Sequence, residues 1–275
     1  MAINLAEKAS PKVVERFKAK SFTEGIFTSA YDWTGVATVK VYTVDNLPLN
    51  DYDKSLASGS RFGALTEVGD TVQEMTVTDD KSFNGSIDKG NNTAQLQIKA
   101  ASSVLKRTTD EVLIPYTDKY RLQKLADGAG TTKSGVSLTK SNALETIMTA
   151  GAEMSNNLVP MEGRVLYIGQ SAAIHVKLAE QVVGVDKLAE KVIVNGVVGA
   201  IDGMQVRIVP DSYMPAGVVF MIVAKGCAVA PKKIETYRIL DEHPDIDGHV
   251  VQGRFLHDCF VLATKAKGIY VAKSA

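Results

Sequence analysis

His243-Pro244-Asp245-Ile246-Asp247-Gly248-His249, with His257-Asp258 shortly after, is the densest gathering of imidazoles and carboxylates in the sequence. Side chains of this kind hold divalent cations, so the sharpest chemical reading of the stretch is a metal-dependent enzyme using His243, Asp245, Asp247 and His249. Their spacing matches no zinc or hydrolase signature. A turn bearing Pro and Gly, whose Asp side chains satisfy nearby backbone N–H groups, accounts for the same residues more simply. No metal is expected.

Other chemical patterns fail on context. Gly196-Val197-Val198-Gly199-Ala200-Ile201-Asp202-Gly203 has spaced glycines, but a nucleotide-binding loop must join a strand to a helix, and the residues after Gly203 have a strand pattern. A β-turn is expected there. Gly-Lys-Ser/Thr is absent from the sequence, and Ser171, after Gly169-Gln170, lacks the Gly two residues later that a nucleophile elbow requires. Cys227 and Cys259 are the only cysteines and sit among apolar neighbours, which points to a reduced, structural role. No catalytic residue and no cofactor is expected.

The elements that would position any site are mixed. The 275 residues carry 31 basic and 31 acidic side chains, enough apolar content for a folded chain, and no long-range positive field to steer it onto nucleic acid. No apolar run approaches the roughly 18 residues of a membrane helix, and the start lacks a secretion signal, so synthesis in the cytoplasm is expected. Ser10-Pro11 opens a short helix with Val13, Val14 and Phe17 on one side, and the first segment has the character of an arm. Alternating β-branched residues predict a strand over 36–44, closed by Asn46-Leu47-Pro48. From Leu49 to Gly90 the composition turns to Asp, Ser, Thr, Gly and Asn, with alternation at 68–77 and 83–87. Such a stretch cannot bury a core of its own and is either disordered or a β-hairpin lying on another chain, outside the globule.

A long helix is expected over 93–114 from Ile98, Ala101, Leu105 and Val112, kinked or restarted at Pro115 and carried on by Tyr116, Tyr120 and Leu125 to Asp127-Gly128-Ala129-Gly130. Asn142 and Glu145 form the pattern of a capping box ahead of Leu144, Ile147, Met148 and Leu158. Short strands are expected at 164–168, 204–209 and 218–223, with a helix at 171–181 and strand again over 248–271. Strands and helices without a regular βαβ repeat make the fold class α+β.

The order of arm, strand, polar hairpin, long helix and α+β block resembles the major capsid proteins of tailed bacteriophages, whose fold is shared with the herpesvirus capsid floor. Carrying the resemblance are Asp118-Lys119-Tyr120-Arg121, Arg164-Val165-Leu166-Tyr167-Ile168 and Gly203-Met204-Gln205-Val206-Arg207-Ile208-Val209-Pro210. Gly253-Arg254-Phe255-Leu256-His257-Asp258-Cys259-Phe260-Val261-Leu262 and Lys267-Gly268-Ile269-Tyr270 complete it. The resemblance implies an N-terminal arm (1–35), a peripheral-domain strand (36–48), an extended hairpin loop (49–90), a spine helix and linker of the peripheral domain (91–140), an axial domain (141–235) and return strands of the peripheral domain (236–275).

It also implies a structural subunit assembling with itself into pentamers and hexamers of an icosahedral shell around double-stranded DNA, in the virion, assembled in the host cytoplasm without a membrane. The arm begins at Met1 without a scaffolding extension, so either the chain is a processed form or a separate scaffold protein acts, and separate scaffold and portal proteins are expected as partners; the DNA is enclosed without sequence specificity. A cellular nanocompartment shell on the same fold, enclosing a cargo enzyme, is the nearest rival. Some relatives crosslink through a hairpin lysine; Lys54, Lys81 and Lys89 are the available donors, but no matching partner motif exists and no crosslink is expected. Between 45 and 89 nine acids face four bases, whereas 91–126 carries six bases against three acids. The expected contact between subunits therefore sets Asp79 and Asp80 of one hairpin against Lys99, Lys106 and Arg107 of a neighbour's helix.

Overall fold

The computed structural model describes residues 21–31, 33, 38–55, 59–94, 100–179, 193–194, 197–241 and 243–274. The expected helix at Ser10-Pro11, with Val13, Val14 and Phe17, lies outside these residues, as do Ile98 and Lys99. Along the chain β1 (Thr38–Val44), β2 (Asp70–Thr76) and β3 (Asp79–Asp88) precede α1 (Lys89–Ala94) and α2 (Ala101–Thr108). A π-helical turn (Thr109–Leu113) leads into α3 (Ile114–Asp127), followed by β4 (Thr131–Lys133), α4 (Ala143–Asn156), β5 (Arg164–Gly169) and α5 (Gln170–Lys177). Then come β6 (Ile193–Val194), β7 (Val197–Val198), β8 (Ala200–Ile201), β9 (Met204–Val209), β10 (Val218–Ala224) and β11 (Ala228–Val229). β12 (Lys232–Leu240), β13 (Gly248–His257), β14 (Phe260–Val261) and β15 (Ile269–Lys273) complete the order, and the fold class is α+β as expected.

The core lies in a mixed six-stranded sheet ordered β4-β15-β10-β5-β9-β8. Every residue of β5 is buried, and β10 and β15 are nearly so, because continuous apolar runs such as Val165 to Ile168 need cover on both faces. Leu122 of α3, Ile147 of α4 and Val176 of α5 join the same core. Arg164, 2% exposed, holds β5 to α4 and to the chain that follows it: its guanidinium donates to the carbonyls of Gly151 (2.8 Å), Val159 (2.7 Å) and Pro160 (2.8 Å), so the buried charge is hydrogen-bonded. The expected turn before 204 is a two-residue β-hairpin loop in which Asp202 and Gly203 both take positive φ, and Ile201 pairs with Met204.

Several expectations change in the structure. The helix over 93–114 is not continuous: α1 ends at Ala94, Ala100 is extended, and a π-turn separates α2 from α3, with the Ile114 N–H bonded to the Thr109 carbonyl. Pro115 has no N–H and its ring crowds the carbonyl four residues back, a clash that the wider turn relieves. The inserted residue rotates the face, so Val112 is 62% exposed rather than on the apolar stripe. α4 starts where expected, but Asn142 accepts from the Thr139 N–H (2.7 Å) in place of a capping box, and Leu158 lies past the helix end, 92% exposed.

Residues 49–90 do not form one hairpin. β1 and β2 pair from Thr38↔Thr76 to Val44↔Asp70, while β3 pairs along its whole length with β13 in a separate antiparallel sheet ordered β12-β13-β3. Met75, Val77 and Ile87 are buried, so this part of the stretch belongs to the globule. The segment 236–275 is likewise split, because β15 is a central strand of the six-stranded sheet instead of returning to β12 and β13. Ile269 to Ala272 are all buried, a run too apolar for the half-exposed sheet.

Candidate assembly surface

The β1–β2 hairpin has two unlike faces. Val39, Val41 and Met75 turn inward onto a second small core with Trp33, Val229 and Leu262, where Trp33 stacks on Phe260 at 6.2 Å. Gln73 pins the same face by donating to the Val261 carbonyl (2.8 Å) and accepting from the Ala263 N–H (2.9 Å). The outer face carries the Lys40–Glu74 ion pair (2.7 Å) and then the exposed apolar pair Tyr42 and Val72. Strand pairing ends at Val44, and the chain between 45 and 69 forms a tip held by the Asp45 N–H to Gly69 carbonyl bond (2.9 Å) and by Tyr52 packed edge-on to Phe62 at 5.0 Å.

The tip is more apolar than its composition implies. Val44, Leu47, Leu49, Phe62, Leu65 and Val68 are all exposed, with Leu49 and Leu65 entirely so. Single exposed apolar residues are ordinary; a cluster of them on one projection marks an interaction surface. The sequence pattern hid this because the apolar residues are spread between polar ones at no regular period.

Of the five charged residues expected to form a contact between subunits, the two aspartates meet partners within their own chain. Asp79 is mostly buried and accepts from the Tyr116 hydroxyl (3.0 Å), with Lys81 Nζ at 3.3 Å and His257 Nε2 at 2.9 Å. Asp80 is held by Arg254 across β3 and β13 (2.6 Å), and this hydrogen-bonded partner lowers its carboxyl below the usual range. On the other side Lys106 is exposed on α2, Arg107 lies 3.8 Å from Glu111, and Lys99 is outside the described residues. Both aspartates are thus engaged within their own chain. Arg254, Tyr116 and His257 are partners that the sequence pattern does not announce; the cross-strand register that puts Arg254 beside Asp80 is not visible until β3 is paired with β13.

The His243–His249 stretch is the loop between β12 and β13. The Ile246 N–H donates to the His243 carbonyl (3.2 Å), His249 Nδ1 lies 2.9 Å from Asp241, and His243 Nδ1 lies 3.6 Å from Asp245. These are two separate pairs, and among the described residues no three His, Cys, Asp or Glu side chains converge as metal ligands. Ser171, at the start of α5, donates from both N–H and hydroxyl to Asp211, which acts as a cap from the loop after β9. Cys227 and Cys259 are buried free thiols; burial raises Cys227 and pushes Cys259 up to about 12, so neither is a nucleophile at neutral pH. Among the described residues no helix is long and apolar enough to cross a membrane.

A set of hydrogen bonds fixes the strap of residues 21–24. Buried Asp118 accepts from the Ser21 hydroxyl (2.8 Å), the Phe22 N–H (2.8 Å) and the Thr23 hydroxyl (2.6 Å). Arg207 donates to the carbonyls of Phe22 (2.6 Å) and Glu24 (2.7 Å), and the Tyr167 hydroxyl also donates to Phe22 (3.1 Å). Asp118, Tyr167 and Arg207 come from three of the five segments that carry the sequence resemblance; Tyr167 and Arg207 are cross-strand partners on β5 and β9.

No family profile matches this sequence, and no curated relative matches it. Solved structures do. A chain of Mycobacterium phage Che8 superposes with a TM-score of 0.78 at 18% identity, covering 98% of this chain and 96% of that one. The capsid structure of cyanophage P-SCSP1u gives 0.77 at 14% identity (98% and 93%), and the bacteriophage PhiM1 mature capsid gives 0.76 at 10% (99% and 92%). Over nearly its whole length, the chain has the fold of these phage capsid subunits, as its sequence resemblance implied.

Proposed function

We propose that this chain is a major capsid protein that assembles with itself into pentamers and hexamers of an icosahedral shell around double-stranded DNA. The observation that carries this is the hairpin, which ends in a cluster of apolar side chains facing water on a subunit whose core is otherwise closed. A neighbouring copy covering that tip removes the cost of exposing it, and closed symmetry repeats the contact around each ring. The six-stranded sheet serves as the axial domain, and β12, β13 and β3 with α2 and α3 as the peripheral one. Charge contributes too: with Asp79 and Asp80 held in-chain, exposed carboxylates of the hairpin such as Asp51 and Glu67 face the basic side that includes Lys106 of the neighbour.

Separate scaffold and portal proteins complete assembly in the host cytoplasm, and the role is structural, without catalysis. Negative-stain electron microscopy of the purified chain tests this: closed shells or capsomer rings are expected, and a monodisperse monomer under all assembly conditions would sink it. Nucleic acid inside the native particle separates a virion from a nanocompartment shell.

A further inference from the structure

His257, at the end of β13, is completely buried, with the rings of Phe255 (4.5 Å between centroids), Tyr120 (5.1 Å) and Tyr116 (6.0 Å) around it. Its Nε2 lies 2.9 Å from Asp79 Oδ2, close enough for charge attraction but not aligned for a hydrogen bond. Neither ring nitrogen has a hydrogen-bond partner among the described residues. An imidazole so placed is tolerated when neutral and costly when charged, because a ring enclosed by aromatic side chains and shut off from water loses the hydration that stabilises its charge.

The groups around it converge on Val77-Thr78, the two residues that join β2 to β3 and so form the root of the hairpin. Asp258 accepts from the Thr78 N–H and hydroxyl (3.0 Å each), from the Tyr120 hydroxyl (2.8 Å) and from the Cys259 N–H (2.8 Å). Asp79 accepts from Tyr116 and meets Lys81. The charges facing the ring oppose one another. Asp79 and Asp258 favour a proton on it, whereas Arg121 of α3 and Lys232 of β12 disfavour one, and Lys124 of α3 lies over the Tyr120 ring at 5.4 Å.

We propose that His257 is a proton-operated latch on the hairpin: the neutral ring lets Val77–Lys81 seat against α3, and the protonated ring draws water and opens that seat. Burial, outweighing the two carboxylates, holds the imidazole below its ordinary value of 6.5. The seated arrangement therefore binds the proton less well than the open one. Its advantage is complete above pH about 6.5 and is lost as pH falls below it.

Hydrogen exchange on the full, unassembled chain at pH 7.5 and 5.0, corrected for intrinsic rates, tests this. Opening at the Thr78 amide is expected to rise with acid by up to about tenfold for each pKa unit between the open and seated states. Amides of β10 should not change. His257→Gln should abolish the increment, while His249→Gln, at the exposed start of β13, keeps it. Should His257→Gln fail to fold, the His257 imidazole of the unaltered chain, titrated by NMR, should have a midpoint below its ordinary value of 6.5. Acid-independent exchange at Thr78, an increment kept in full by His257→Gln, or a His257 midpoint at or above 6.5 would each overturn the latch.

Discussion

β10 and the β1–β2 hairpin are both rich in valine, aromatic and other large apolar residues, yet Phe220 to Val223 are buried whereas Tyr42, Val44 and Val72 face water. The difference lies in pairing. β10 has a strand on each side, β15 and β5, and covers both faces, while each hairpin strand has one partner and only one face laid on the globule. Apolar content alone therefore does not distinguish core from contact surface; the number of satisfied edges and faces does.

The largest effect should come from cutting the hairpin at two different places. Deleting Asp51–Asp88 removes β3, an edge strand of the β12-β13-β3 sheet, and with it the Asp79 contacts to α3, so circular dichroism should report an unfolded or aggregated chain. Deleting only Asn46–Val68 removes the tip and should leave a cooperative unfolding transition at nearly the original temperature. Equal damage from both deletions would mean that the tip belongs to the core.

In the sheet, Ile222→Ala at a fully buried position of β10 should cost about 2–5 kcal/mol in urea unfolding, the range for emptying a packed site. A loss under about 1 kcal/mol would show that this core is loosely packed. On the hairpin, Leu49→Asp with Leu65→Asp should change stability by no more than about 0.5 kcal/mol, as surface substitutions do, yet remove shells from electron micrographs. Shells formed as before would place the contact elsewhere. The smallest effect belongs to Asp80→Asn, which breaks an exposed ion pair with Arg254; neither the melting temperature nor assembly should move measurably. A clear assembly defect would restore Asp80 to the contact between subunits.

Much of the fold was legible because its signals are local. Arg164 to Ile168, Met204 to Val209 and Val218 to Val223 are apolar runs whose strand character needs no partner to be recognised, and Asp202-Gly203 is a turn by its own chemistry. Pairing was not legible. Nothing within Asp79–Asp88 says that it belongs with β13, more than 150 residues away, and so its acids look like part of the projecting arm. The break between α2 and α3 was half visible: Pro115 announced a disturbance, but a π-turn on its N-terminal side, rather than a simple kink, depends on how the helix accommodates the ring. Of the surface, charge was visible and the exposed leucines were not, since a leucine carries no mark of which way it faces.

The position of β15 bears on timing. Residues 269–273 lie between β4 and β10, so until synthesis has passed residue 273 the six-stranded sheet lacks the strand that joins edge strand β4 to the other four. Until then, pairing edges on β4 and β10 remain open, and such nascent edges are prone to join the wrong strand. The β1–β2 hairpin is complete nearly 200 residues earlier, but the sheet is joined only by this late strand. A chain whose synthesis has not yet passed residue 273 thus leaves β4 without its neighbour and β10 with one open edge.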